Sequence, residues 1–167
     1  KQVRQAVTCI QESKRPLIYA GGGIVTSHAC SELTELAERM QIPVVTTLMG
    51  KGAMRCSNPL NLGPVGMHGS KYANMAVTEC DLLIAVGCRF SDRVALDPAS
   101  FASQAKIVQI DIDRSEIDKN ILTDHHIIGD AKRVLELLNE RLTQQDHTAW
   151  KEYVFSYPRV TVYDEAA

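Results

Sequence analysis

Two segments of this chain combine glycine with charge in the way that anion-gripping loops do. The first, Leu62-Gly63-Pro64-Val65-Gly66-Met67-His68-Gly69-Ser70-Lys71-Tyr72-Ala73-Asn74, is a glycine-rich loop running into a helix start. The second, Gly87-Cys88-Arg89-Phe90-Ser91-Asp92-Arg93-Val94, follows the apolar run Leu82–Val86. Arg89 and Arg93 stand four apart with Asp92 between them, a spacing suited to clamping a pyrophosphate or a carboxylate. The alternative is a solvated pair bridged to nearby acids, which is nearly neutral in energy. Gly21-Gly22-Gly23 either brings free backbone N–H groups up to phosphate oxygens or forms an ordinary tight turn, and it is not a GxGxxG fingerprint. Asp111 is placed to accept a hydrogen bond from a ribose hydroxyl, or to cap the turn at Ser115-Glu116. Met67 and His68 are unremarkable taken alone. No Ser-His-Asp set, nucleophile elbow, Walker sequence or purposeful carboxylate pair can be assembled. The residues describe a binder of a nucleotide-like cofactor, not a complete catalyst.

Those loops need strands to carry them. Val3, Ala6, Val7 and Ile10 recur at helical spacing, and Pro16 stops that helix. Leu17–Ala20 reads as a buried strand ending at the triple glycine. Ser27 is a plausible N-cap for a helix whose inner face is Leu33, Leu36, Ala37 and Met40, and Pro43–Thr47 is the next strand. This is a βαβ unit of about 30 residues. Residues 48–68 read as one long loop, a length that is more often functional than idle. Tyr72, Ala73, Ala76 and Val77 give a helix face before the strand Leu82–Val86. A loop over 87–99 and a short helical stretch lead to the strand Lys106–Ile110. His126–Ile128 is a last short strand, and Asp130 caps a helix with Val134, Leu135, Leu138 and Leu142 inside. Apolar strands alternating with helices predict a single α/β domain, a doubly wound, Rossmann-like parallel sheet in three layers. In such a sheet ligands lie beyond the carboxyl ends of the strands, where every glycine-rich or Arg-bearing segment falls here. The domain is expected over 1–143, with 144–167 a linker or tail toward a further domain. The stripe of Trp150, Tyr153, Val154 and Tyr157 either packs on the domain or waits for a neighbour.

Composition narrows the classes of partner. The 167 residues carry a net charge of −2, which gives no reason to expect nucleic acid or an anionic membrane. No apolar run approaches the roughly 20 residues that cross a bilayer. The start at Lys1, without Met or an apolar leader, reads as an excised piece. Five cysteines without CxxC fit a reducing cytoplasm, and five dispersed histidines without HxxxH or HExxH give no metal site.

Taken together the segments are more specific than any glycine alone. Gly66-Met67-His68-Gly69-Ser70-Lys71-Tyr72-Ala73-Asn74 resembles the GMHGT-x-YAN segment of the acetolactate synthase (acetohydroxyacid synthase) family. Gly87–Val94 is similar to that family's G-x-RFDDRV, and Ala105–Asp113 to its AKI-x-x-IDID. The resemblance, from about Arg15 to Leu142, is to the central domain of these thiamine diphosphate enzymes. It implies that this domain holds FAD while thiamine diphosphate and Mg²⁺ sit in flanking domains that the chain lacks. It also implies a reaction that decarboxylates pyruvate and joins the two-carbon unit to a second 2-keto acid, for branched-chain amino acid synthesis. The flavin performs no net redox there. Carried over by position, Gly21, Gly22, Gly23, Thr47, Leu48, Gly66, Met67, His68, Gly87, Arg89, Arg93, Val94, Asp111, Ile112, Gly129 and Asp130 should line the extended cofactor. Met67 and Arg93 should also border the active site, Arg93 receiving the second keto acid's carboxylate. Implied partners are the other domains of the subunit, a homodimer or tetramer, and a regulatory subunit. One position departs: Ser91 stands where the family has Asp. Two other readings are a cofactor-free structural central domain of a related thiamine enzyme, and a stand-alone NAD- or FAD-binding module. By itself the chain should be inactive.

Overall fold

The computed structural model describes residues 2–65, 71–88, 102, 104–118, 122–143, 145 and 147–156. Six strands form one sheet: β1 (Pro16–Ala20), β2 (Val44–Thr46), β3 (Asn61–Pro64), β4 (Leu82–Val86), β5 (Lys106–Asp111) and β6 (His125–Ile128). All neighbours pair parallel, in the order β3-β2-β1-β4-β5-β6. The helices are α1 (Gln2–Glu12), α2 (Gly22–Thr26), α3 (Cys30–Met40), α4 (Lys71–Glu79), α5 (Ala131–Arg141) and α6 (Thr148–Phe155).

Side chains alternate across a strand, and this sorts the core into two halves. Ile18, Ala20, Ile84, Val86, Val108 and Ile110 face α1, α2, α3 and α5, whose Ile10, Ile24, Leu36 and Leu138 complete that half. Leu17, Tyr19, Leu83, Ala85 and Ile107 face the other way, onto Ala73, Ala76 and Val77 of α4 and Trp150 and Val154 of α6. β1 and β4 are buried along their whole length. The doubly wound three-layer fold is therefore present, and residues apolar at every position are what a doubly covered strand requires.

Two local expectations change, and one open alternative is resolved. The stretch read as a loop over 48–68 contains β3, hidden because Asn61-Leu62-Gly63-Pro64 has neither strand composition nor alternation. Pairing skips Leu62, with Val44 opposite Asn61 and Val45 opposite Gly63, and Gly63 takes φ +88° at this irregularity. Pro64 is tolerated because β3 is an edge strand. Second, Ser27 ends α2 rather than opening α3: its hydroxyl donates to Gly23 O (2.7 Å), and α3 starts after Ala29 without a side-chain cap. Of the two readings of the aromatic stripe, packing on the domain holds for Trp150 and Val154, which are buried with the Trp150 indole donating to Pro16 O (2.7 Å), while Tyr153 is exposed and Tyr157 lies outside the described residues. Among the described residues no helix is long and apolar enough to cross a membrane.

Candidate cofactor site at the carboxyl rim

Every strand exit in a parallel sheet opens on one rim, and the predicted residues that are described gather there. Gly21, Gly22 and Gly23 follow β1, and Thr47 and Leu48 follow β2. Gly87 follows β4, Asp111 ends β5 with Ile112 next, and Gly129 and Asp130 follow β6. Gly66, Met67, His68, Arg89, Arg93 and Val94 lie outside the described residues. Strand order reverses at the β1/β4 pair, the topological switch point where doubly wound sheets open a ligand crevice.

Backbone bonds lace this rim one residue past the strands. Val65 N–H donates to Thr46 O (3.1 Å), Thr47 N–H to Ala20 O (3.0 Å), Gly21 N–H to Val86 O, Gly87 N–H to Ile110 O and Gly129 N–H to Asp111 O (each 2.9 Å). Gly23 N–H donates to Gly87 O (2.9 Å). Two of the triplet's three N–H groups are thus committed to the protein itself, not held ready for phosphate oxygens. The glycines serve close approach instead. A Cβ on Gly21 would lie 2.3 Å from Gly87 O, one on Gly23 2.7 Å from Gly87 Cα, and one on Gly50 2.2 Å from Ala20 O. Gly87 also takes φ +60°. Three turns from distant parts of the chain are cinched together by backbone contact.

The rim's side chains supply the chemistry. Leu48, Met49 and Ile112 are 75%, 78% and 71% exposed, apolar groups presented just past the β2 and β5 exits. Met49, part of the Thr47-Leu48-Met49-Gly50 strand exit, and Val25 of α2, 41% exposed, are not among the residues expected to line the cofactor. The Thr47 hydroxyl accepts from Gly50 N–H (2.9 Å), so it shapes this turn. Asp111 is nearly buried, its Oδ1 accepting Asp113 N–H (2.9 Å). Capping of the short 3-10 turn Arg114–Glu116 falls to Asp113, whose Oδ1 takes Ser115 N–H (2.9 Å), so Asp111 is not that cap. Asp130 caps α5 through Arg133 N–H (3.2 Å). Beside it an open groove of about 580 Å³, floored by Ile127, Val134 and Leu137, flanks the β6 end of the rim. It takes in Gly129 and Asp130 but none of the other predicted positions.

Cys88, past the β4 exit, brings no reactive thiol to the rim, and Cys80, before β4, is likewise inert. Burial, with a further push from Asp111, holds the Cys88 thiol far above its ordinary value. Burial, reinforced by Asp81, pushes Cys80 up to about 12. Both stay protonated near neutrality. Among the described residues no His, Cys, Asp and Glu cluster could hold a metal ion. The donor set fits a flavin dinucleotide: exposed apolar groups at the β2 and β5 exits for flat rings, and an acid at the β5 exit for a ribose.

Comparison with known proteins places this geometry. Residues 3–138 match the family described as thiamine pyrophosphate enzyme, central domain. The chain is 52% identical over 164 residues to the probable acetolactate synthase large subunit of Methanocaldococcus jannaschii, covering 96% of this chain and 28% of that protein. It is 51% identical over 142 residues to the corresponding probable large subunit of Methanococcus aeolicus (85% and 24%), and 51% identical over 138 residues to the acetolactate synthase of Arthrospira platensis (81% and 24%). The chain spans about a quarter of the length of these curated relatives. With a doubly wound sheet, a laced carboxyl rim and a family match over most of its length, the chain belongs to the thiamine pyrophosphate enzyme family, as its central domain.

Proposed function

We propose that residues 1–143, with α6 packed against them, are the FAD-holding central domain of an acetolactate synthase large subunit, and that 144–167 also lead toward a further domain. The observation that supports this most is the convergence of Gly21, Leu48, Gly87, Asp111 and Gly129 on one rim around the switch point. Identity near one half to acetolactate synthase large subunits supports the choice within the family.

In this reading Asp111 holds a ribose hydroxyl, Leu48 and Ile112 cover flat rings, and Arg89 takes the diphosphate. Gly66, Met67, His68 and Val94 complete the lining. Met67 and Arg93 face the substrate, Arg93 orienting the carboxylate of the acceptor keto acid. FAD supplies an ordering scaffold without net redox. Thiamine diphosphate and Mg²⁺ belong to the rest of the subunit, which works as a cytoplasmic dimer or tetramer with a regulatory subunit. Decarboxylation of pyruvate and its joining to a second 2-keto acid are activities of that whole assembly.

The test is flavin content. The intact subunit is expected to purify with one FAD per chain, read by absorbance and by fluorescence after denaturation. An intact, active subunit without flavin, taking none from a millimolar solution, would overturn the reading in favour of a cofactor-free domain.

A further inference from the structure

We propose that the groove between α3 and α5 binds a small aliphatic polyamine, with its ammonium groups held by Glu35, Glu136 and Glu140 and one N–H donated to Asn139 Oδ1. The groove encloses about 280 Å³, lined by Glu35 from α3 and by Glu136, Asn139 and Glu140 from α5. Its side chains are acceptors almost throughout. The Asn139 amide N–H is the one side-chain donor of the lining, and it is engaged with Glu32 O (3.2 Å). Asn139 Oδ1 has no hydrogen-bond partner, although the residue is only 9% exposed. Glu32 Oε2, one turn earlier on α3 than Glu35, is likewise buried without a partner. Buried acceptors are seldom left this way, and what these lack is a donor the chain itself does not supply.

The neighbouring cations leave the groove acidic. Arg133 reaches Glu136 at 3.8 Å along α5, while Arg39 is turned toward Asn139 O and Leu142 O. Glu35 and Glu140 meet no basic partner among the described residues. A carboxylate only accepts, and a primary ammonium carries three N–H donors and no acceptor, so each amine satisfies several of these oxygens through charge-assisted bonds.

Two other occupants fit the lining less well. A metal ion draws its ligand atoms to within about 2–2.6 Å of one point, and among the described residues no group of three or more His, Cys, Asp and Glu could hold one. A protein partner needs an apolar centre to its interface, and none of the exposed large hydrophobics among the described residues lies on α3 or α5. A flexible polyamine spaces its charges along a chain, and so reaches carboxylates too far apart to share a single ion.

The probe is hexamethylenediamine, titrated calorimetrically into the full-length chain at fixed ionic strength. One molecule is expected to bind per chain. Glu35→Gln/Glu140→Gln, at two exposed positions, is expected to weaken binding about tenfold or more through loss of charge-assisted hydrogen bonds. Glu12→Gln/Glu152→Gln, which removes the same charge from exposed positions elsewhere, should leave the affinity unchanged. Hexamethonium, the fully methylated counterpart, keeps the charge and spacing but has no N–H, and is expected to bind about tenfold more weakly at least. Absence of saturable binding, equal affinity for hexamethonium, or equal loss in the two double variants overturns the proposal. So does displacement of the diamine by magnesium at a lower concentration than the diamine itself requires, which would assign the groove to a metal.

Discussion

Gly21 and Gly22 are adjacent, yet a methyl group means opposite things at the two positions. At Gly21 it would meet Gly87 O at 2.3 Å and Cys88 Cα at 2.4 Å, backbone that cannot move without opening the β1/β4 junction. Gly21→Ala is therefore expected to cost about 2–4 kcal/mol in urea unfolding, at the upper end of overpacking effects. At Gly22 the nearest atom is Met49 Cβ at 3.1 Å, in an exposed turn. Gly22→Ala should stay within about 1 kcal/mol of the wild type, since the gain in helix propensity offsets the squeeze. Equal losses from both would show that the junction is looser than these distances require. Asp81 sets a second residue-scale expectation. Burial pushes its carboxyl upward, but hydrogen bonds from the Ser13 hydroxyl and the Lys14 and Arg15 N–H groups outweigh that and hold it below the usual carboxylate range. A lowered folded value means the contribution is complete above the unfolded carboxylate range and disappears as pH falls through the folded value. Asp81→Asn should thus be less stable than the wild type at pH 7, and the difference should shrink between pH 4 and pH 2.5. A gap that stays constant over this range would rule out the ionised bridge.

Among the elements, α5 opens on a side chain whose capping role and proposed ligand role can be separated by substitution. Asp130 accepts Arg133 N–H at the start of the helix and stands on the carboxyl rim of the sheet. Asp130→Ala should lower stability by about 1 kcal/mol through loss of the cap. Asp130→Asn keeps a capping oxygen and removes the charge. If Asp130 also faces FAD, the Asn variant should unfold like the wild type while binding flavin measurably more weakly. Unchanged flavin affinity in both variants would confine Asp130 to capping. The same elements show what was legible beforehand. Leu82–Val86 and the helix after Asp130 stood out because burial on both faces and the 3.6-residue period leave direct marks in composition. β3 left none, since its strand character comes from pairing with β2 and not from its own residues. Ser27 misled because a hydroxyl serves a helix end by bonding back to a carbonyl as readily as it caps a start. The burial of His147 left no sign either, because the two backbone carbonyls its ring meets lie more than a hundred residues away.

At the scale of the whole molecule, alternating strands and helices announced a parallel sheet but not its order, which depends on contacts such as Ala20 beside Val86. That order creates the switch point, and with it two expectations for ligand. If the rim binds FAD, adding it at a hundred times its Kd should stabilise the isolated chain by about 2.7 kcal/mol. For a chain of this size that is a rise in Tm of roughly 5–10 °C. An unmoved melting curve, with FAD retained by the intact subunit, would mean that neighbouring domains supply essential contacts. If Arg93 meets the acceptor's carboxylate as proposed, Arg93→Lys in the full-length protein should weaken discrimination between acceptor keto acids, because an ammonium cannot reproduce the guanidinium's two-pronged grip on a carboxylate. Unaltered product ratios with pyruvate and 2-ketobutyrate in competition would remove Arg93 from acceptor selection.

The position of β1 at the centre of the sheet has a consequence for the chain's birth on the ribosome. β1 can pair with β2, and β2 with β3, once Pro64 has emerged, but the other flank of β1 stays open until Leu82–Val86 follows. During that interval a fully apolar strand edge faces solvent, and translation at about 5–20 residues per second keeps it there for seconds. A nascent half-sheet of this kind is the species that trigger-type chaperones should hold, and synonymous codons that slow residues 66–81 should raise aggregation without altering the finished protein.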